Sequence, residues 1–343
     1  MTSKRLILLD GHALLFRAFH AMPPFTAPDG RPSGAVYGFA NVLVRVIKEL
    51  EPTWVVACFD APGPTFREEV YKDYKATRAE TPPDIIIQEP MTKEVVEAFG
   101  IPHMAVSGWE ADDLIATLVD QGLRKSELLP CRQAGRTPAL PAGRPKSETD
   151  VEEIIVVTGD RDLLQLSQPK VKIYLLRNGT KEIVLLDEVA VTDLIGLPPD
   201  QLLDWKALRG DPSDNIIGVP GVGDKTALQL IKAYVNLEGL YAELEIPNDE
   251  FRMTNEKSIQ NSEFVIRNSI RESLLMYRER AFANRDLLTV RTDAPVTLDL
   301  AAAHRRNYEP ARARAALVDL GFKGILSRLP TAMVANQPNL FDK

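Results

Sequence analysis

The chain has 343 residues, a net charge of −7, 45% hydrophobic and 26% charged residues, the balance of a soluble protein with one main core and a smaller module. Its two cysteines, Cys58 in an apolar run and Cys131 in a Pro/Arg-rich stretch, argue against a disulfide framework and suit a reducing cytoplasm. No run approaches ~18 apolar residues and the apolar stretch after Arg5 is too short for a signal peptide, so the expectation is no membrane segment.

Three apolar runs end in aspartate: Arg5–Asp10, Trp54–Asp60 and Ile154–Asp160. Each is short, rich in Leu or β-branched residues and bounded by Gly or Asp, as buried parallel strands are. Between them, Ala35–Leu50 and Ala111–Leu123 carry apolar residues at helical spacing. Strands alternating with helices predict an α/β fold, a mostly parallel sheet with helices on both faces. In such sheets the ligand crevice lies beyond the carboxyl ends of the strands, where Asp10, Asp60 and Asp160 would sit.

Pro64–Gly100 interrupts this pattern with Arg67, Lys72, Lys75 and Arg78 among Tyr71 and Tyr74, followed by Pro82, Pro83 and Pro90. It reads as a basic, partly helical excursion from the sheet. Pro130–Ser147 is rich in Pro, Gly, Arg and Lys without an acid, and reads as a disordered insertion. Further on, Leu202–Arg209 and Lys225–Tyr234 read as helices flanking a Gly/Pro/Asp loop, and Glu309–Leu329 as a final helical segment.

More acids come in tight groups: Glu110, Asp112 and Asp113 at the start of a helical pattern, Asp160 and Asp162 after a strand, Asp211 and Asp214 at a turn. One such pair is most simply a helix cap. Several at one end of a sheet instead suggest a site for hard divalent cations, which take carboxylate oxygens and waters. Two ions about 4 Å apart can hold both oxygens of an in-line phosphoryl displacement. The chain has no His- or Cys-rich zinc set and no Gly-x-Ser-x-Gly nucleophile. Setting these nine acids aside turns −7 into +2, so the net charge does not argue against a nucleic-acid ligand.

Gly218-Val-Pro-Gly221-Val-Gly223-Asp-Lys225-Thr226 leads into a helix whose free N–H groups suit a phosphate. A nucleotide-binding P-loop is one reading, although Asp224 separates Gly223 from Lys225 and the preceding Asp211–Asn215 does not read as a strand. A helix–hairpin–helix gripping a DNA backbone is the other, and a plain Gly-rich turn the third.

Together, Leu-Leu-Asp10-Gly-His, Ala-Val-Tyr37-Gly-Phe, Phe-Asp60-Ala, Tyr74-Lys-Ala-Thr-Arg78, Glu110-Ala-Asp-Asp113, Thr-Gly-Asp160-Arg-Asp162, Gly210–Asn215 and Gly218–Thr226 resemble, in order, the 5′-nuclease family, and within it the 5′-nuclease domain of bacterial DNA polymerase I. The resemblance spans about Arg5 to Leu329. It implies a PIN-like 5′-nuclease core over 1–190, with a helical arch at 64–100 and the insertion at 130–147. An all-α helix–hairpin–helix module follows over 191–292, then a helical segment at 293–329 packed on the core and a flexible tail at 330–343. The implied activity is 5′-3′ exonuclease and flap endonuclease cleavage of DNA in replication-fragment processing and repair.

By the same resemblance, Asp10, Asp60, Glu110, Asp112 and Asp113 would surround a first Mg²⁺ or Mn²⁺ ion. Asp160, Asp162, Asp211 and Asp214 would surround a second, with Asp113 near both. Lys75 and Arg78 would be catalytic, acting on the scissile phosphate, and Arg17 and Lys206 would contact phosphates. Gly218, Gly221, Gly223, Lys225 and Thr226 would hold the duplex, with a K⁺ ion on the hairpin. The insertion is longer than the family pattern, and Pro83–Ile87 is less polar. No polymerase sequence follows, which leaves a stand-alone nuclease or a piece of a longer polymerase. Gln337-x-x-Leu340-Phe341 resembles the peptide with which bacterial replication proteins dock on the sliding clamp. The expected state is a monomer in the cytoplasm, at the nucleoid.

Overall fold

The computed structural model describes residues 4–125, 150–177, 179–180, 182–245 and 266–331. The 130–147 insertion, Cys131 and the tail with Gln337–Phe341 lie outside the described residues.

Three of the six strands of the main sheet are the aspartate-terminated runs: β1 (Arg5–Asp10), β2 (Trp54–Cys58) and β4 (Glu153–Thr158). The others are β3 (His103–Met104), β5 (Val171–Arg177) and β6 (Glu182–Leu186), which the sequence reading left unassigned. The order is β3-β2-β1-β4-β5-β6, all parallel except β6 against β5. The expected mostly parallel sheet is therefore present, with an antiparallel edge.

Side chains alternate across a strand, so the continuous apolar runs feed two cores. Leu6, Leu8, Trp54, Val56, Ile154 and Val156 pack with Leu114, Ile115 and Leu118 of one helix, α5 (Ala111–Lys125). Ile7, Leu9, Val55, Ala57, Ile155 and Val157 pack on the opposite face with Val36, Phe39 and Leu43 of α2 (Gly34–Leu50). Each of these fully buried aliphatic side chains contributes about 1.5–3 kcal/mol, which fixes the register: Leu9 lies opposite both Ala57 and Val157. The carboxyl ends of β1, β2 and β4 thus stand side by side, with α1 (Gly11–Ala21) starting directly from β1.

The basic excursion is helical only at its two ends, in α3 (Phe66–Val70) and α4 (Pro83–Ala98). The stretch between them is turns, and Lys75 sits there in the left-handed region at φ 55°. The excursion is therefore partly helical, with turns between its two helices. The Asp211 loop has its expected turn, a 3₁₀ turn at Pro212–Asp214, closed by a two-residue antiparallel ladder of Gly210–Asp211 with Ile216–Ile217 that the sequence did not suggest.

Beyond the sheet, α6 (Glu188–Ile195), α7 (Leu202–Arg209), α8 (Asp224–Tyr234), α9 (Leu237–Leu244), α10 (Asn268–Met276) and α11 (Arg278–Leu288) form a helical module. Its Leu208, Leu230, Leu240 and Leu274 belong to the same apolar cluster as Leu6 and Leu8, so one core runs from the sheet into the helices. The final segment is two helices, α12 (Pro310–Asp319) and α13 (Lys323–Leu326), separated at Gly321 with φ 78°. A residue with a Cβ is strained there, and the break lets Leu317, Phe322 and Ile325 all reach the α2 face.

Candidate active site

A cleft of about 990 Å³ opens at the carboxyl ends of β1, β2 and β4. Among the described residues, eight carboxylates line it (Asp10, Asp60, Glu110, Asp112, Asp160, Asp162, Asp211 and Asp224), facing the basic Arg17, Lys75, Arg78, Arg161, Lys206 and Arg209.

Asp10 ends β1 and caps α1, so both oxygens are engaged. Oδ1 accepts from the Ala13 N–H at 3.0 Å and Oδ2 from the Thr158 hydroxyl at 2.6 Å. Burial pushes its pKa up to about 7 against those hydrogen bonds, with Asp160 and Asp60 adding like charge. Asp60, just past β2, accepts from the Ala111 N–H at 2.7 Å and so ties β2 to the first turn of α5. Asp112 is raised well above the usual carboxylate range by burial and by Asp10 and Asp160. Asp160 accepts from the Asp162 N–H at 2.9 Å and donates its own N–H to Thr158 at 2.9 Å.

On the opposite wall, Lys206 of α7 reaches between Asp162 and Asp211, at 2.7 Å from Asp211. Burial and the neighbouring Asp160 push Asp162 up to about 6 even so. Asp211 is also buried, yet Lys206 and two hydrogen bonds from Ser213 hold it below the usual carboxylate range. Burial acts against the Lys206 ammonium, but the two aspartates outweigh it and raise its pKa. The expected phosphate contact is thus committed to carboxylates.

At the cleft rim, Lys75 Nζ is 2.6 Å from Glu110 and Arg78 is 2.6 Å from Asp214. Tyr74 hydroxyl lies 3.2 Å from Glu110 and 3.3 Å from Asp214. Asp214 is not part of the cleft lining, because its carboxylate turns to these two partners. Arg17 lines the cleft and donates to the Gly159 carbonyl, and a Cβ on Gly159 would collide with it.

Asp113 departs furthest from expectation. It is fully buried and does not line the cleft. Its two oxygens receive Arg67 at 2.7 and 2.8 Å, and the Arg291 N–H at 2.8 Å. Arg67 also donates to the Leu287 and Thr289 carbonyls, so this pair joins α3 and α5 to the end of α11. Both Asp113 oxygens are therefore bound to protein donors, away from the cleft. Arg67 was one basic residue among several in the sequence, with no local sign of burial. His12 was also passed over. It lines the cleft, stacks on Phe16 and holds Nε2 3.6 Å from Asp60.

The hairpin glycines divide. A Cβ on Gly218 would collide with the Arg209 and Gly210 backbone, so internal packing accounts for that glycine. Gly221, at φ 80°, and Gly223 have open space on that side, and Lys225 is exposed and Thr226 half-buried in the first turn of α8.

Oxygen-only donors, three of them held above their usual pKa by burial and mutual repulsion, fit hard divalent cations. Among the described residues, no three of the acidic, His or Cys side chains stand where one ion would touch all of them, and Lys75, Lys206 and Arg78 hold Glu110, Asp162, Asp211 and Asp214.

Two family models match the chain: the N-terminal resolvase-like domain of 5′-3′ exonuclease over residues 5–130 and its C-terminal SAM fold over 197–311. Similar proteins include DNA polymerase I of Bacillus subtilis, 32% identical over 95% of this chain and 32% of its own length. DNA polymerase I of Mycobacterium leprae is 34% identical over 97% and 32%, and the thermostable enzyme of Thermus filiformis 35% over 94% and 33%. The chain thus spans about a third of the length of the curated relatives it matches. Among solved structures, T5 5′-exonuclease with bound zinc has a TM-score of 0.61 at 18% identity, covering 92% of this chain and 100% of that one. The catalytic core of Rad2 in complex with DNA substrate has a TM-score of 0.52 at 17% identity, covering 95% and 91%. These two share the fold, and with the models matched at both ends the chain belongs to the 5′-3′ exonuclease family.

Proposed function

We propose that the chain is a metal-dependent, structure-specific 5′ nuclease, acting as 5′-3′ exonuclease and flap endonuclease on DNA in replication-fragment processing and repair. The observation that carries this reading is the carboxylate cleft at the strand ends, in which burial disfavours the charged forms of Asp10, Asp112 and Asp162 and a bound cation would favour them.

Asp10, Asp60, Glu110 and Asp112 would hold a first Mg²⁺ or Mn²⁺ ion, and Asp160, Asp162, Asp211 and Asp214 a second. Such ions, when bound, supply Lewis acidity and neutralise charge that builds on the phosphate oxygens. Lys75 and Arg78 would leave Glu110 and Asp214 to bind the scissile phosphate and orient it. The Thr158 hydroxyl and the Ala13 N–H keep Asp10 aimed, as outer hydrogen-bond partners do for metal ligands. Gly221, Gly223, Lys225 and Thr226 would hold backbone phosphates of the duplex, with K⁺ on the hairpin carbonyls.

The proposed substrates are DNA flaps, nicks and 5′ ends, and the proposed partner through Gln337–Phe341 is the bacterial sliding clamp. The proposed state is a monomer at the nucleoid. Among the described residues, no helix is long and apolar enough to cross a membrane. The test is a 5′-labelled flap duplex incubated with Mg²⁺, with Mn²⁺ and with EDTA. Cleavage near the flap junction with either metal and none in EDTA is expected. Cleavage that persists in EDTA, or none with either metal, would remove the reading.

A further inference from the structure

Beside the acidic cleft lies a second, smaller cavity of about 380 Å³, at the carboxyl ends of β4 and β5. Among the described residues, its charged lining is Arg17, Arg161, Arg177 and Glu182, three guanidinium groups against one carboxylate. Arg17, Gly159 and Arg161 line both cavities, so the two adjoin. Among the described residues, neither Arg161 nor Arg177 makes an ion pair or a side-chain hydrogen bond, whereas most cleft cations are paired. Arg17 is held at the junction by its bond to the Gly159 carbonyl, and a Cβ at 159 would push its guanidinium end out of this position.

Resting on the nuclease reading above, we propose that Arg161 and Arg177, with Arg17, form a phosphate-binding subsite for the DNA strand whose scissile bond lies in the acidic cleft. An acidic cleft beside a basic pocket is a complementary pair. Cations neutralise the first, and a phosphate other than the scissile one neutralises the second. Guanidinium groups suit this because they present several N–H donors in a plane that matches phosphate oxygens. The volume admits a phosphate with part of its nucleotide, and its wall is mostly polar, since the Leu175 and Leu176 side chains turn away into the two cores. That phosphate is either the 5′-terminal monoester or an internal diester of the strand.

The test separates binding from cutting. Anisotropy titrations in EDTA measure affinity and salt slope for a nicked duplex with a 5′-phosphate and for its 5′-hydroxyl counterpart. Wild type, Arg177→Ala and Arg161→Ala are compared, with circular dichroism confirming that each variant is folded. Each variant is expected to bind about five- to tenfold more weakly, with a salt slope smaller by about one counterion. A loss confined to the 5′-phosphorylated duplex assigns the terminal monoester, and an equal loss on both assigns an internal diester. Both variants matching wild type in affinity and slope would overturn the subsite. If that occurs while wild type cuts flaps with Mg²⁺, the subsite alone falls. If wild type binds neither duplex, the subsite falls together with the nuclease reading.

Discussion

The Arg67 guanidinium grips both oxygens of Asp113 in a bidentate pair that is almost wholly sealed from solvent. The pair sits directly behind Glu110 and Asp112, and it anchors the start of α5 to the chain leaving α11.

Asp113→Asn should therefore act first on stability. It removes the charge that compensates a buried guanidinium, a loss that typically costs about 3–5 kcal/mol. Urea unfolding of the variant in EDTA should show that loss. Asp112→Asn should instead leave stability unchanged or raised in EDTA, because burial already disfavours the Asp112 charge, while abolishing flap cleavage. Wild-type stability in Asp113→Asn would show that the pair does not anchor the site.

The raised carboxylates give the metal-free protein a pH dependence of definite sign. Asp10 has a folded pKa of about 7 against an ordinary 3.8. The unfolded chain releases its proton first, so this group's contribution to stability falls as pH rises from about 4 to about 7 and levels off above. In EDTA, Asp10→Asn should flatten that decline. Mg²⁺ should raise Tm more at pH 8 than at pH 5, since the ion competes with protons for these oxygens. Equal Mg²⁺ shifts at both pH values would count against a carboxylate site.

Lys75 and Lys225 should fail in different ways. Lys75→Ala removes a cation from the rim of the cleft and should lower the single-turnover rate at saturating enzyme by about 10²-fold, in line with losing one donor to developing charge. Lys225 is exposed at the start of α8, so Lys225→Ala should chiefly weaken binding and reduce the salt slope by about one. An unchanged single-turnover rate in Lys75→Ala would refute its role.

The tail should be separable from catalysis. A peptide covering Val334–Lys343 should bind the bacterial sliding clamp at roughly micromolar affinity, with Leu340 and Phe341 filling an apolar pocket. Leu340→Ala combined with Phe341→Ala should abolish clamp binding by the whole chain and leave flap cleavage unchanged. Equal clamp affinity in wild type and the double variant would eliminate the docking peptide.

The sequence by itself determined the three aspartate-ended strands, the helices α2, α5 and α7, and the gathering of acids at one end of the sheet. Those features rest on short-range periodicity and on the rule that parallel strands point the same way, so neighbouring residues suffice to reveal them. Only the tertiary structure decided which acids face the cleft. Asp112 and Asp113 are adjacent, about 100° apart on one helix, and a partner 46 residues from Asp113 settles their fates. The same holds for Lys206, claimed by Asp162 from 44 residues away. It holds too for the antiparallel edge strand β6, whose half-exposed pattern becomes a strand only once β5 offers its backbone. Charge pairing and burial are properties of contacts between distant segments, and composition and spacing do not carry them.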